Sequence, residues 1–176
     1  MTVNKRFYLS ILGYTDVVWE SGKIFGRVPY PMLDIHRANQ TYSYQILSYN
    51  MMNFLEFVSD EYTSLNIDHC FNGFFFNKIP LFKRLKLREL VTVKILYGNV
   101  TKNNDPLHHS DLFRYPVNAD GTPITYTLEK KPYIEASVGV GNIFKLFRVD
   151  VVKRITYLNH PEVADLGIRV RFKFDF

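Results

Sequence analysis

The sequence predicts an all-β fold, an antiparallel up-and-down meander of about eight strands. Three observations predict it. Apolar residues recur at every second position over long stretches, as strands with one apolar face require. No sustained i, i+3, i+4 apolar pattern with caps competes with them. Short and long connections alternate along the chain, and alternate links of an antiparallel meander fall at the same end. One end should therefore carry tight turns and the other long loops.

The elements follow in order. FYLSIL and DVVWESGKIFG are candidate strands in the first thirty residues. VPYPML resembles the later NKIPLF in joining a β-branched residue, Pro and Leu, so 27–38 is read as a turn at the tight end. TYSYQILSYN then runs back as a strand, and NMMNFLEFVSDEY either extends it or begins a long loop. YTSLNIDHCF sets Leu65, Ile67 and Phe71 against Ser64, Asn66 and Asp68, within a strand read as 61–76. NKIPLFKRL turns the chain. LRELVTVKILYG, in a strand read as 86–98, alternates Leu87, Val91, Val93, Ile95 and Tyr97 with Arg88, Thr92 and Lys94. The long polar stretch 99–131 follows. Ile134, Ala136, Val138 and Val140 then share one face of a strand at 132–141. After the brief GNIFK link, a strand at 147–158 alternates Phe147, Val149, Val151, Ile155 and Tyr157 with Arg148, Asp150, Arg154 and Thr156. The chain closes on GIRVRFKFDF, with Val170, Phe172, Phe174 and Phe176 on one parity and Arg169, Arg171, Lys173 and Asp175 on the other.

Composition bounds the function. A chain of 176 residues with 47% hydrophobic and 16% aromatic content is one domain's worth and excludes a disordered, charge-dominated polymer. The 22 Lys and Arg exceed 17 Asp and Glu, a net +5, but they are scattered singly and form no nucleic-acid footprint. Cys70 is the single cysteine, so no internal disulfide forms. No apolar run of about eighteen residues offers a spanning helix. MTVNKRFYLS lacks a signal peptide, which taken alone points to the cytoplasm, unless the export information lies upstream.

The faces leave two readings. In a soluble barrel or sandwich the apolar parity forms the core, here Phe172, Val149, Val138 and Val91, and the protein is a binding module. In an outer-membrane barrel the apolar parity meets lipid, the polar parity lines a wet lumen, and turns are short on the periplasmic side. Glu135, Arg148, Asp150, Arg154, Arg169, Arg171 and Lys173 then form a candidate lumenal charge network, joined in cross-strand pairs worth roughly 0.2 to 1 kcal/mol each.

The ending favours the second reading. Phe172, Phe174 and Phe176, on a strand opened by Gly167 and Ile168, resemble the C-terminal strand signal by which outer-membrane barrels are recognised by their assembly machinery. With Phe176 at the periplasmic end, 147–158 runs outward, 132–141 inward, 86–98 outward and 61–76 inward. The 99–131 stretch becomes extracellular and NKIPLFKRL periplasmic. Tyr97 and Tyr157 then approach the outer interface and Phe71, Phe74 and Phe76 the inner one. Lys153 breaks the lipid parity in mid-strand, where a cation costs roughly 2 to 4 kcal/mol, and Glu89 does so beside the periplasmic turn.

MNFLEFVSDEY, HCFNGFFFNKIPLFKRLKLRE, PYIEASVGVGNIFKLFRVD and GIRVRFKFDF together resemble the C-terminal barrel of Bacteroidetes-type outer-membrane proteins of uncharacterised function that carry an N-terminal carboxypeptidase-regulatory-like domain. The resemblance covers nearly the whole chain. It implies an outer-membrane β-barrel or the C-terminal part of a larger one, preceded in its parent by a signal peptide, a regulatory-like domain and further strands. It implies outer-membrane lipid, the assembly machinery and those upstream domains as partners, and a non-enzymatic role in transport, ligand uptake or envelope architecture.

Other candidate sites are weaker. His108 and His109 beside Asp105 and Asp111 suit a divalent ion by chemistry, but adjacent histidines rarely converge, and a polar loop is expected. Asp68, His69 and Cys70 have the composition of a nucleophile cluster, yet alternation sends His69 to the opposite face. Glu56, Asp60 and Glu61 are either a ligand site or a turn-fixing cluster, with the turn favoured. No Gly-rich phosphate loop, paired-carboxylate motif or Ser-His-Asp ordering stands out, so neither a cofactor nor an enzymatic activity is expected.

Overall fold

In the computed structural model, which describes residues 1–172, seven strands hydrogen-bond into one antiparallel sheet. They are β1 (Thr2–Tyr8), β2 (Tyr14–Lys23), β5 (Glu61–Cys70), β6 (Arg88–Asn99), β8 (Tyr133–Ile143), β9 (Phe147–Arg154) and β10 (Leu166–Phe172), in that spatial order. Three short strands, β3 (Asp34–Ile35), β4 (Phe57–Ser59) and β7 (Tyr126–Thr127), make a second sheet. The fold is thus the expected antiparallel meander. Within the described residues β1 and β10 are the sheet's two edges, and the sheet is open.

The links sort by end. Residues 9–13, 71–87 and 144–146 lie at one end, and 24–60, 100–132 and 155–165 at the other. The contrast holds except that 71–87 is longer than 155–165. It carries the short helix α1 (Pro80–Arg84), whose Pro80 opens the first turn. The strand read as 61–76 stops at Cys70 because Asn72 and Gly73 take positive φ and Glu89 captures this turn. Gly73 N–H donates to Glu89 at 2.9 Å, and Phe76 N–H also donates to its carboxylate. Glu89 is therefore buried and hydrogen-bonded, not presented to headgroups.

The first sixty residues differ most from the sequence reading. FYLSIL splits between the end of β1 and a 3-10 turn at Ser10–Leu12. Residues 27–38 lie at the long-link end, within the 24–60 connection, and are not a tight-end turn. TYSYQILSYN is not a strand of the sheet, since only isolated bridges, Ala38 to Tyr49 and Ser43 to Val170, flank or touch it. Its backbone meets β10 at one point, where Tyr44 N–H donates to Val170 O and Val170 N–H to Tyr42 O, each at 2.9 Å, and side chains hold the rest. Asn39 donates to Ser43 O at 2.6 Å, while Asn50 accepts from Gln45 N at 2.9 Å and returns a bond to Gln45 O at 2.9 Å. Asn side chains compete in this way with ladder bonds, and the segment curls back over the large sheet.

The large sheet has two unlike faces. One row across it reads Phe7, Thr15, His69, Val91, Val138, Val151 and Ile168, strand by strand. This apolar face is open: Val138 is 66% and Ile168 61% exposed. Next to it on the opposite face, the row Lys94, Glu135 and Arg154 is buried, as is Asp150, which like Arg154 is 0% exposed. The alternation predicted from sequence is observed, and the polar side is the covered one. Gly139 belongs to that tight side, since a Cβ there would overlap the Asp150 carboxylate.

The strand read as 147–158 ends at Arg154, and Tyr157 takes a positive φ of 56°. Tyr157 consequently leaves the apolar parity and packs in a core cluster with Phe57, Tyr133, Leu96 and Leu128, its hydroxyl donating to Lys131 O at 2.6 Å. Tyr97 remains exposed at the long-link end, while at the other end Phe71, Phe74 and Phe76 are half-buried and their neighbour Phe75 is exposed. Lys153 sits opposite Ala136 and Leu166, beside the long-link end of β9, and is exposed.

Candidate functional site

The polar face of the sheet and the segment curled over it enclose three linked groups of buried side chains. Alternation on β9 aims Arg148, Asp150 and Arg154 inward together, and neighbouring strands add Asp68, Thr92, Lys94 and Glu135. Each charge then finds its partner across the interior.

Arg148 is the centre of the first group. Its Nε donates to Asp150 at 2.7 Å, and its two terminal nitrogens donate to Asp68 at 3.0 and 3.1 Å. Thr92 donates to Asp68 at 2.5 Å, and the guanidinium lies 4.6 Å from the ring centre of Tyr44. Two carboxylates flank one arginine here, and the aromatic lid comes from the curled segment. Burial pushes the Tyr44 hydroxyl up to about 12, so it stays neutral beside the guanidinium.

Arg154 forms a fork-to-fork pair with Glu56 at 2.8 and 2.6 Å. The same guanidinium donates to the carbonyls of Met51, Thr156 and Tyr157. His160 Nδ1 and Asn53 N–H also donate to Glu56, at 2.7 and 2.8 Å. Burial pushes the Glu56 carboxyl up, but the bonds from His160 and Arg154 outweigh it and hold it below the usual range.

Glu135 links the sheet to the backbone of the curled segment. It accepts Asn50 N–H at 2.8 Å, Met51 N–H at 3.0 Å and the Tyr133 hydroxyl at 3.0 Å. Lys94 Nζ stands 3.5 Å from Glu135 and donates to Gln45 O and Ser48 O at 2.7 and 2.5 Å. At the top of the interior His36 shares a 2.5 Å hydrogen bond with Ser59, and burial, helped by Arg37, pushes its imidazole down to about 4.

Of the candidate network, Glu135, Arg148, Asp150 and Arg154 converge around the segment. Arg169 reaches it by donating to Asn50 O at 2.7 Å. The pairs are not the cross-strand neighbours expected. Glu135 lies directly opposite Arg154, and Asp150 opposite Arg169, yet both arginines turn to the segment instead. Arg148 and Arg171 are themselves directly opposite. Arg171 lines a cleft of about 480 Å³ at the short-link end with Arg6, Arg88, Lys145 and Arg148, against Asp16 and Asp68 among the described residues. Gly167 and Phe172 lie on β10, and Phe172 packs 4.8 Å from Phe147, whereas Lys173, Phe174 and Phe176 fall outside the described residues.

The remaining candidates resolve as anchors or separate. Asp60 accepts Thr101 N–H at 3.0 Å and Asn104 at 2.9 Å, pinning the 100–132 link, while Glu61 pairs with Lys23 at 2.9 Å. Glu56, Asp60 and Glu61 are therefore loop-fixing groups. His69 faces outward against Thr15 at 2.8 Å, away from Asp68 and Cys70. His108 pairs with Asp105 at 2.9 Å in an exposed turn, and Asp111 pairs with Arg27. Among the described residues no group of three or more His, Cys, Asp or Glu converges as metal ligands. The sequence reading missed Tyr44, Asn50 and His160, whose partners Arg148, Glu135 and Glu56 are far away in the chain and leave no local pattern.

A model described as the family of unknown function (DUF5686) C-terminal domain matches residues 1–105, which hold β1 to β6. No curated protein and no solved structure matches the chain.

Proposed function

The chain belongs to the DUF5686 C-terminal domain family, whose function is unknown, and we propose that it forms part of an outer-membrane β-barrel with its apolar face against lipid. One observation carries this reading: the face of the large sheet that holds Val138, Val151, Ile168 and Phe172 is open, while the charged face is buried. In water that arrangement exposes a contiguous apolar surface of a kind soluble monomers rarely carry. In a bilayer it is the required one, because lipid accepts the apolar parity and the interior charges satisfy one another.

In this reading the segment 34–59 occupies the lumen, and Arg148, Arg154, Glu135 and Lys94 hold it there. The role is non-enzymatic: transport, ligand uptake or envelope architecture. Lipid, the barrel-assembly machinery acting on the terminal strand, and further strands or upstream domains meeting β1 and β10 are its partners. Unpaired strand edges are costly in hydrocarbon, so β1, and β10 on either side of its Val170 bridge to residues 42–44, need such neighbours.

The soluble alternative draws on the second sheet, which packs Phe57 and Tyr126 over Tyr133 and Tyr157 as a sandwich layer does. Its expected core fares differently, since Val138 and Phe172 are exposed and Val91 and Val149 only partly covered. Refolding the purified chain with and without detergent separates the two. A β-rich, heat-modifiable gel species that forms only in micelles is expected. A folded monomer in plain buffer would reject the membrane reading.

A further inference from the structure

At the short-link end the open face carries a groove of about 610 Å³ lined almost wholly by carbon, from Leu85, Leu87, Val138, Val140, Phe144 and Val149. Two turns build it. The chain after α1 supplies Leu85 and Leu87, and the β8–β9 hairpin supplies Phe144, with Lys86, Phe144 and Lys145 all at positive φ. Asn142 Nδ2 donates to Lys86 O at 2.7 Å, tying one turn to the other. The groove is thus a product of tertiary contact, of a size that holds small amphiphilic ligands.

Its rim is basic. Lys83, Arg84 and Lys86, next to the lining residues Leu85 and Leu87 in the chain, are exposed, and neither 71–88 nor 139–149 contains an Asp or Glu. Phe75, Ile79 and Leu81 are exposed along the same turn, so the edge mixes apolar anchors with cations. An apolar slot flanked by cations on its α1 side fits one chemistry, a hydrocarbon chain ending in an anionic head.

We propose that this groove binds an anionic phospholipid, with an acyl chain against Val138, Val140 and Val149 and its phosphate among Lys83, Arg84 and Lys86. The inference rests on reading the open face as lipid-facing. It adds a selective site at the short-link interface.

The test uses the whole chain refolded in micelles and in phosphatidylcholine vesicles. Trp19, the single tryptophan, lies on the open face and reports lipid contact through quenching by a spin-labelled phosphatidylcholine. Retention of phosphatidylglycerol against phosphatidylcholine is read by native mass spectrometry. The expected result is Trp19 quenching with phosphatidylglycerol retained at about tenfold lower concentration, a preference abolished in Lys83→Gln/Lys86→Gln. Lys83→Gln/Arg84→Gln, on the exposed side of α1, is a second variant expected to lower it. Quenched Trp19 with equal retention of both lipids, or a preference unmoved by either double variant, would overturn the site while the membrane reading stands. Unquenched Trp19 in a soluble monomer would overturn both.

Discussion

Glu56→Gln is expected to destabilise the folded chain by about 3 kcal/mol or more, the scale for leaving one member of a buried ion pair without its partner. The substitution keeps the volume of the side chain, so no cavity contributes. In the native site Glu56 Oε1 accepts from Arg154 Nη2 and His160 Nδ1, and Oε2 accepts from Arg154 Nη1 and Asn53 N–H. Whichever way a glutamine amide turns, its NH2 meets one guanidinium donor together with either His160 or the Asn53 amide. Arg154, which is 0% exposed, then carries a charge with no carboxylate against it. Urea unfolding of the micelle-refolded protein reads the loss, and hydrogen exchange should localise it to 50–57 and the end of β9. Glu61→Gln is the control: its partner Lys23 and Glu61 itself are 56% and 40% exposed in their side chains, and such pairs contribute about 0–1 kcal/mol. If Glu56→Gln costs no more than Glu61→Gln, the interior is not organised around the Arg154 pair and the reasoning fails.

Other outcomes follow from the same geometry. Because burial lowers the His36 imidazole from 6.5 to about 4, the unfolded chain binds the extra proton between those values. Stability should therefore be full above pH 6.5 and fall by about 3 kcal/mol as pH drops towards 4, a slope that His36→Gln removes in urea titrations. Gly139→Ala drives a methyl into the Asp150 carboxylate and should cost about 1–3 kcal/mol, whereas Gly121→Ala, with open space around it, should cost less and act only through its φ of 83°. Val138→Lys places a cation at mid-height of the open face and should impair folding into bilayers by about 2–4 kcal/mol. An unchanged yield of heat-modifiable species for that variant would count against lipid contact. Glu89→Gln should loosen the 71–79 turn, seen as faster exchange of the Gly73 and Phe76 amides while β8 and β9 keep their protection.

By itself the sequence determined the parts of this protein that depend on local pattern. Period-two alternation in β5, β6, β8 and β9 set which residues share a face, and the alternation of links set which ends carry turns, because both are consequences of how a strand directs successive side chains. Even so, strand ends were misplaced where a distant group intervenes, as Glu89 does in closing the turn after Cys70. Only the tertiary structure decided what covers the polar face. Asn50 meets Glu135 across 85 positions and Glu56 meets Arg154 across 98, so no window of sequence contains both partners. Segment 41–50 carries strand-like residues, yet beyond its main-chain bonds to Val170 and Arg37 its backbone is bonded by the side chains of Asn39, Asn50, Lys94 and Glu135, which favours a curled path over a ladder. The short strands β3, β4 and β7 span only two or three residues and have no period to read. An arginine's position on a face is local information, but the carboxylate it pairs with is chosen by whichever chain segment folds back against it.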